Sequence, residues 1–302
     1  MAQMTAEDSY FQAVQALPAR LRKEARSLPR QDRALVEELR LRVGWPMTAL
    51  VEGTERPLGS IPVRLAELEQ LVEIASHASL HTVLDQIRMG YLTLEGGHRV
   101  GLCGEAVVQE GEIHALRTIS SANLRIARQV KGAAASVLDG LCPDGRLRDT
   151  LILAPPGLGK TTLLRDLIRS VSEGEGCTPL RVSLADERGE VAAMYNGLPQ
   201  LAVGRRTDVM EGCPKARGLM LLLRAMDPQV LAVDEITAPE DVKALATAAG
   251  CGVTLLATAH GEGRSDLERR ALYRPLLEEG LFRFLVHIRR KGERIYTIEE
   301  LK

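Results

Sequence analysis

Lys160 and Thr161 stand where a polypeptide can grip a polyphosphate. They belong to the stretch Ala154-Pro155-Pro156-Gly157-Leu158-Gly159-Lys160-Thr161-Thr162, which meets the spacing G-x-x-x-x-G-K-[ST] except that Ala154 occupies the first glycine position. In a loop of this kind the backbone N–H groups of Gly157 to Thr161 curl around a β-phosphate, and the positive end of the following helix adds to the attraction. Lys160 is spaced to reach β- and γ-oxygens, and the Thr161 hydroxyl to meet Mg²⁺. All nine residues are expected to line a nucleotide. A Gly/Pro-rich connector is the plainer alternative, but strand, loop and amphipathic helix fall in register around the motif.

Phosphoryl transfer also needs acids. Asp234-Glu235 ends the apolar run Val230-Leu231-Ala232-Val233; Asp234 is expected to act through Mg²⁺ or its water, and Glu235 as general base on the attacking water. Asp186-Glu187-Arg188-Gly189-Glu190 follows another apolar run, so Glu187 or Asp186 is a candidate for orienting water or metal, against the plainer reading of a charged loop with internal ion pairs. Thr258-Ala259-His260-Gly261 ends a third, where His260 or Thr258 could sense a γ-phosphate by a hydrogen bond. Arg205-Arg206 is either a γ-phosphate contact, a bridge between subunits or a solvated pair. The expected set is therefore Glu235, Lys160, Glu187, His260 and Arg206 for catalysis, with Thr161 and Asp234 for the metal. The chain has no N-K-x-D guanine-reading motif, so the expected nucleotide is ATP.

These residues need a sheet edge to converge on. Thr150–Ala154, Arg181–Ala185, Val230–Val233 and Val253–Ala257 read as strands. Helices are expected after the loop, with Leu163, Leu164, Leu167, Ile168 and Val171 on the buried stripe, and over Ala216–Met226 and Glu240–Ala249. The alternation is that of a parallel α/β sheet. Thr237-x-x-Glu240 and Ser265-x-x-Glu268 read as capping boxes, and residues 286–298 as a hairpin about Lys291-Gly292-Glu293. Upstream, residues 8–28 read as helical with breaks at Pro18 and Pro29. Leu39, Leu41 and Val43 alternate as in a half-buried strand, a helix runs from about Leu65 to His77, and residues 91–128 are β-rich with turns at Gly96-Gly97 and Gln109-Glu110-Gly111-Glu112. A short helix over Ala133–Leu141 and the polar linker 143–149 separate an α+β N-terminal domain, 1–142, from an α/β domain, 150–302.

Composition limits the partners. The 302 residues carry a net charge of -1, with 18 basic and 19 acidic side chains in residues 1–150 and 21 of each thereafter, and aromatics make up 3%. Neither half has the basic excess or stacking platforms of a nucleic-acid module, so nucleic acid is an unlikely partner. Cys103, Cys142, Cys177, Cys213 and Cys251 are widely spaced without C-x-x-C, and are expected to be reduced and mostly core residues. The N-terminus lacks a basic start and an apolar run, and the expected compartment is the cytoplasm.

Taken together, Leu151 to Asp166, Asp186 to Glu190, Arg206-Thr207-Asp208-Val209, Gly212-Cys213-Pro214-Lys215-Ala216, Val233-Asp234-Glu235 and Ala257 to Gly261 resemble the stage III sporulation protein AA family. Gly96 to Leu102 and Ser120 to Arg128 extend the resemblance to that family's N-terminal domain. It implies a cytoplasmic P-loop ATPase related to the traffic ATPases of type II and type IV secretion, with a RecA-like motor domain preceded by a smaller α+β domain. It further implies ATP and Mg²⁺, assembly as a homo-oligomeric ring of hexamer type, and peripheral attachment to membrane-embedded channel proteins that join mother cell and forespore during endospore formation. The family's acid, Walker B and His boxes fall on Asp186-Glu187, Asp234-Glu235 and His260. Secretion ATPases commonly carry Gly before the catalytic Glu, where Asp234 stands here. In a RecA-like ring a neighbouring subunit's arginine completes the site, and Arg125, Arg128, Arg205 and Arg206 are the candidates. Two rival functions are an ATP-gated nucleic-acid-binding protein using Arg125, Arg128 and Lys131, and a nucleotide-binding scaffold without turnover.

Overall fold

The computed structural model describes residues 5–76 and 90–301, and the chain divides into two compact units. The first comprises residues 1–129 together with 193–200, the second 130–192 and 201–302. The boundary thus falls at Gln129/Val130, ahead of the short helix assigned from sequence to the N-terminal domain.

In the first unit, α1 (Ala6–Ala13) and α2 (Ala19–Arg26) are separated at Pro18, and α3 (Arg30–Arg33) follows Pro29, as the proline breaks require. Strands β1 (Val36–Arg42), β2 (Pro46–Val51) and β3 (Thr54–Pro62) form an antiparallel meander, followed by helix α4 (Leu65–Ala75). The expected helix end at His77 lies outside the described residues. β4 (Tyr91–Thr93), β5 (Arg99–Gln109) and β6 (Glu112–Arg125) complete a six-stranded sheet of order β3-β2-β1-β6-β5-β4. Leu39 pairs with Leu124, and Leu39, Leu41, Leu68, Leu71, Leu17 and Leu21 close one apolar core between sheet and helices.

The second unit begins with α5 (Ala135–Leu141) and the loop-bearing strand β7 (Thr150–Ala154). Then come α6 (Lys160–Glu173), β8 (Val182–Asp186), the two-residue strands β9 (Met194–Tyr195) and β10 (Leu198–Pro199), and β11 (Thr207–Glu211). The chain continues through α7 (Lys215–Ala225), β12 (Val230–Val233), α8 (Pro239–Gly250), β13 (Thr254–His260), α9 (Arg264–Arg269) and α10 (Arg274–Glu278). The hairpin β14 (Phe284–Lys291) and β15 (Glu293–Glu300) ends it. The β9–β10 hairpin belongs to the first unit, where the Gly96 N–H donates to Gln200 Oε1 at 2.9 Å.

The sheet order is β11-β8-β12-β13-β7-β14-β15, parallel except for β15. β7, β8 and β12 are buried along their whole length, the pattern of strands covered on both faces. Leu151 and Leu153 share a core with Leu219 and Leu222 of α7 and Leu245 and Ala248 of α8; by strand alternation Ile152 faces the other side. Leu163, Leu164, Leu167, Ile168 and Val171 of α6 are buried as their helical spacing requires.

Several local expectations need correction. Thr207–Glu211, not among the strands expected, is the parallel edge strand β11. At the start of α8 the capping carboxylate is Asp241, which accepts from the N–H groups of Thr237 and Ala238, both at 3.0 Å, and the Thr237 hydroxyl accepts from Lys215 Nζ at 2.9 Å instead. Ser265 lies inside α9, whose cap is Gly263, so it forms no capping box. Of the five cysteines only Cys142 is buried, and Cys103 and Cys251 are exposed. Cys142 and Cys177, distant in sequence, hydrogen-bond each other; this contact and burial raise the Cys142 pKa, and the same contact lowers that of Cys177.

Candidate functional site

The parallel topology delivers the carboxyl ends of β8, β12, β13 and β7 to one sheet edge, where ligands of such sheets bind. The loop leaves β7 at Ala154 and enters α6 at Lys160. It needs its glycines: φ is +76° at Gly157 and +97° at Gly159, a region that L side chains avoid. A Cβ built on Gly157 meets nothing within 4 Å, so the space beside that turn of the loop is open.

Around the loop two hydrogen-bonded chains meet. In the first, Lys160 Nζ donates to the carbonyls of Ala154 at 3.0 Å and Pro155 at 3.2 Å, and lies 2.8 Å from His260 Nδ1. An ammonium only donates, so Nδ1 is the acceptor and Nε2 bears the hydrogen. That Nε2–H points at Glu235 Oε1, 2.7 Å away, which fixes His260 as a neutral imidazole joining Lys160 to Glu235. In the second, the Thr161 hydroxyl donates to Asp234 Oδ2 at 2.7 Å. The Thr258 hydroxyl donates to Asp234 Oδ1 at 2.6 Å and accepts the Glu235 N–H at 2.7 Å. Burial lowers the Lys160 pKa, and the charges of Asp234 and Glu235 oppose that shift.

Glu235 has φ +58°, a conformation in which non-glycine residues are uncommon and usually held by their surroundings. The Thr258 hydroxyl and the His260 ring are the two holds on it. Its side chain remains 28% exposed, so water can reach it, and Arg188 lies 3.8 Å from Oε2.

The acid box divides its work. Asp186 is buried and accepts the N–H groups of Glu190, Val191 and Ala192 at 3.0, 3.0 and 2.8 Å, which shapes the loop after β8; burial nonetheless raises its pKa. Glu187 pairs with the buried Lys215 ammonium at 2.9 Å. Lys215 escapes the sequence reading because a lysine opening a helix looks like a solvated charge; its burial comes from Glu187, Thr237 and Asp241 converging on it.

Arg206 is not at this edge. Its N–H and guanidinium bind Ser172 Oγ and O, at 2.7 and 2.9 Å, and Arg205 pairs with Glu173. Ser172 and Glu173 end α6, about 20 Å from the loop at 1.5 Å rise per residue, so Arg206 makes no γ-phosphate contact within its own chain. Arg206 cannot reach this edge because β11, which it precedes, runs parallel to β8 and must start from the far edge. Arg128, of the first unit, donates to the Val36 carbonyl at 2.6 Å.

The residues fit a Mg²⁺-bound nucleotide. The loop has the glycine conformations that turn N–H groups inward, Lys160 is held among the described residues by two carbonyls and an imidazole nitrogen, and Thr161 with Asp234 presents the hard oxygen donors that Mg²⁺ takes alongside waters and phosphates. No described helix is long and apolar enough to cross a membrane.

Comparison with known proteins agrees with this architecture. The solved structures similar to it include the pilus retraction motor PilT with bound ADP, at TM-score 0.61 and 17% identity over 90% of this chain and 81% of that one. The ATPase DotB of Legionella pneumophila aligns at TM-score 0.57 and 18% identity over 87% and 76%. These likenesses show the RecA-like fold of traffic ATPases. In sequence, the chain is 31% identical over 140 residues to the uncharacterized protein ycf45 of Porphyra purpurea, spanning 45% of this chain and 23% of that protein. It is 40% identical over 281 residues to stage III sporulation protein AA of Bacillus subtilis strain 168, spanning 92% of this chain and 91% of that protein. With a family model described as sporulation stage III, protein AA matching residues 7–299 as well, the chain belongs to that family.

Proposed function

We propose that this sporulation protein is an ATP hydrolase, and that its turnover drives a membrane-associated secretion or channel complex during endospore formation. The observation that supports this most directly is the Lys160–His260–Glu235 chain beside Thr161–Asp234–Thr258, which joins a phosphate-binding lysine to a water-accessible carboxylate.

On nucleotide binding, the N–H groups of Gly157 to Thr161 take the β-phosphate, and Lys160 leaves the Ala154 and Pro155 carbonyls for the β- and γ-oxygens. Mg²⁺, held through Thr161 and Asp234, would neutralise charge on those oxygens. Glu235 accepts a proton from the attacking water as its oxygen bonds to the γ-phosphorus and the bond to ADP breaks. His260 orients the carboxylate through Nε2–H, and because its Nδ1 faces Lys160, departure of Lys160 toward a phosphate alters the base's support. Glu187, held by Lys215, serves in positioning the loop after β8 beside this water.

The working species is proposed to be a homo-oligomeric ring, a hexamer by family resemblance, in which an arginine of a neighbouring subunit reaches the γ-phosphate. Arg125, Arg128, Arg205 and Arg206 remain the candidates. The membrane partners are embedded channel proteins of the sporulation apparatus, to which the chain attaches peripherally from the cytoplasm. Phosphate release by the purified chain and by Lys160→Ala tests the enzyme reading. Turnover should be abolished in a variant that melts like the wild type, and undiminished turnover would refute the loop's role.

A further inference from the structure

Beside the loop, on the side away from Asp234 and Glu235, lies a feature that the proposed reaction leaves unused. β14 pairs in parallel with β7, and β15 with β14, so this hairpin flanks the loop-bearing strand opposite to β13 and β12. From β15 the Arg294 guanidinium lies flat against Gly159. A Cβ built there would stand 3.1 Å from Arg294 Cζ, 3.3 Å from Nη1 and 3.4 Å from Nε. Gly159 is required by its φ of +97°, and the Arg294 guanidinium packs into the space that its missing side chain leaves.

The cross-strand register sets Arg290 directly opposite Arg294, on the same face of the hairpin. Like charges in such a pair repel and weaken the hairpin unless something negative lies between or beside them. Among the described residues neither guanidinium has a hydrogen-bond or ion-pair partner, whereas several other surface arginines of this unit, such as Arg181, Arg205 and Arg283, are paired with carboxylates. A repelling, unneutralised arginine pair beside a loop built for anions is what an anionic ligand would complete.

The sheet order says which part of the ligand this is. A triphosphate whose γ end faces Asp234 and Glu235 on the β12 side must direct its nucleoside end across the loop, toward β14 and β15. We infer that Arg294, supported by Arg290, is a second cation of the nucleotide site within the same chain, contacting the phosphate next to the ribose in nucleoside di- and triphosphates. This rests on the nucleotide reading proposed above and adds to it. Lys160 serves the phosphates that react; Arg294 serves the one that stays with the nucleoside, so it contributes alike to ATP and ADP. Its planar fork suits two phosphate oxygens at once, which the point charge of a lysine does not.

The test is titration of the full-length chain with fluorescent N-methylanthraniloyl-ADP and -ATP in wild type, Arg294→Ala, Arg294→Gln, Arg294→Lys, Arg290→Ala and Lys160→Ala, each checked by its melting temperature. Arg294→Ala and Arg294→Gln should weaken both nucleotides by the same factor, about ten- to a hundredfold as for a charge-assisted contact. KM for ATP should rise in proportion while kcat falls less than about threefold. Arg294→Lys should recover part of the affinity, and Arg290→Ala should lose a few-fold. Unchanged ADP affinity in both Arg294 variants, or a loss confined to ATP, would overturn the inference. A wild-type chain that binds neither nucleotide would instead overturn the nucleotide reading. Binding lost in Lys160→Ala but kept in Arg294→Ala would remove this inference alone.

Discussion

Thr258→Val tests whether the metal-facing acid and the base are held by one hydroxyl. Thr258 is fully buried, and its Oγ1 both donates to Asp234 Oδ1 at 2.6 Å and accepts the Glu235 N–H at 2.7 Å. Valine fills nearly the same space and provides neither bond. Each partner left unsatisfied costs about 1–3 kcal/mol, and Asp234 keeps its second bond from Thr161, so a loss of about 3 kcal/mol is expected. For a unit of this size that lowers Tm by roughly 10 °C. The effect on turnover should be larger than stability alone implies. Glu235 is kept at φ +58° by this anchor, and its release lets the backbone relax toward ordinary φ, displacing the base. A displacement of about 1 Å costs about a hundredfold in rate. The assays are thermal melting and steady-state phosphate release at saturating Mg²⁺ and ATP. Thr258→Ser, which keeps the hydroxyl, should stay within several-fold of wild type in rate. A Thr258→Val chain with wild-type Tm and turnover would refute the shared-anchor reasoning.

Glu235→Gln should retain nucleotide while losing roughly two to four decades of turnover, because the amide keeps the shape but takes no proton; normal turnover in pre-steady-state and steady-state phosphate release would move the base elsewhere. Mixing Lys160→Ala, which keeps its arginines, with single alanine variants of Arg125, Arg128, Arg205 and Arg206 should restore phosphate release at mixed interfaces for at least one of the four. Turnover per chain that neither rises with concentration nor recovers in any mixture would show a site complete in one subunit. In the first unit, His98 is buried with its pKa lowered by burial from 6.5 to about 4, its Nδ1 accepting the Ala127 N–H at 3.1 Å. The unfolded chain therefore binds a proton below pH 6.5 that the folded one refuses. The contribution is intact above pH 6.5 and falls as pH drops toward 4, by about 3 kcal/mol in all. Urea midpoints at pH 7 and 4.5 should show the decline in wild type and a flatter response in His98→Leu.

What could be read from the sequence was whatever depends on local spacing. The loop from Ala154 to Thr162 and the strand-ending acids Asp234 and Glu235 announce themselves because their chemistry requires fixed neighbours in the chain. His260 follows from its place at a strand end. What stayed hidden depends on pairings distant in sequence. Lys215 receives Glu187 from 28 positions upstream, Thr258 bridges Asp234 and Glu235 from the adjacent strand, and Arg294 reaches Gly159 across the sheet. Arg206 fails because it precedes β11, which runs parallel to β8, so that the length of a strand separates it from the acid box in space. β11 is masked by its own residues, Asp208 and Glu211 being poor strand formers.

The β9–β10 hairpin makes the chain cross between its two compact units three times, at residues 129/130, 192/193 and 200/201. No single cut can therefore separate the units as intact modules. A fragment ending near residue 142 lacks the segment 193–200, whose Gln200 accepts the Gly96 N–H, while a fragment starting near 150 carries that segment without the sheet it accompanies. The crossing begins immediately after Ala192, whose N–H is held by Asp186 at the end of β8. In evolutionary terms, one recombination breakpoint could not exchange the loop-bearing unit of this chain and leave its former companion whole. Genetic shuffling that freely recombines beads on a string would here have to move two pieces at once.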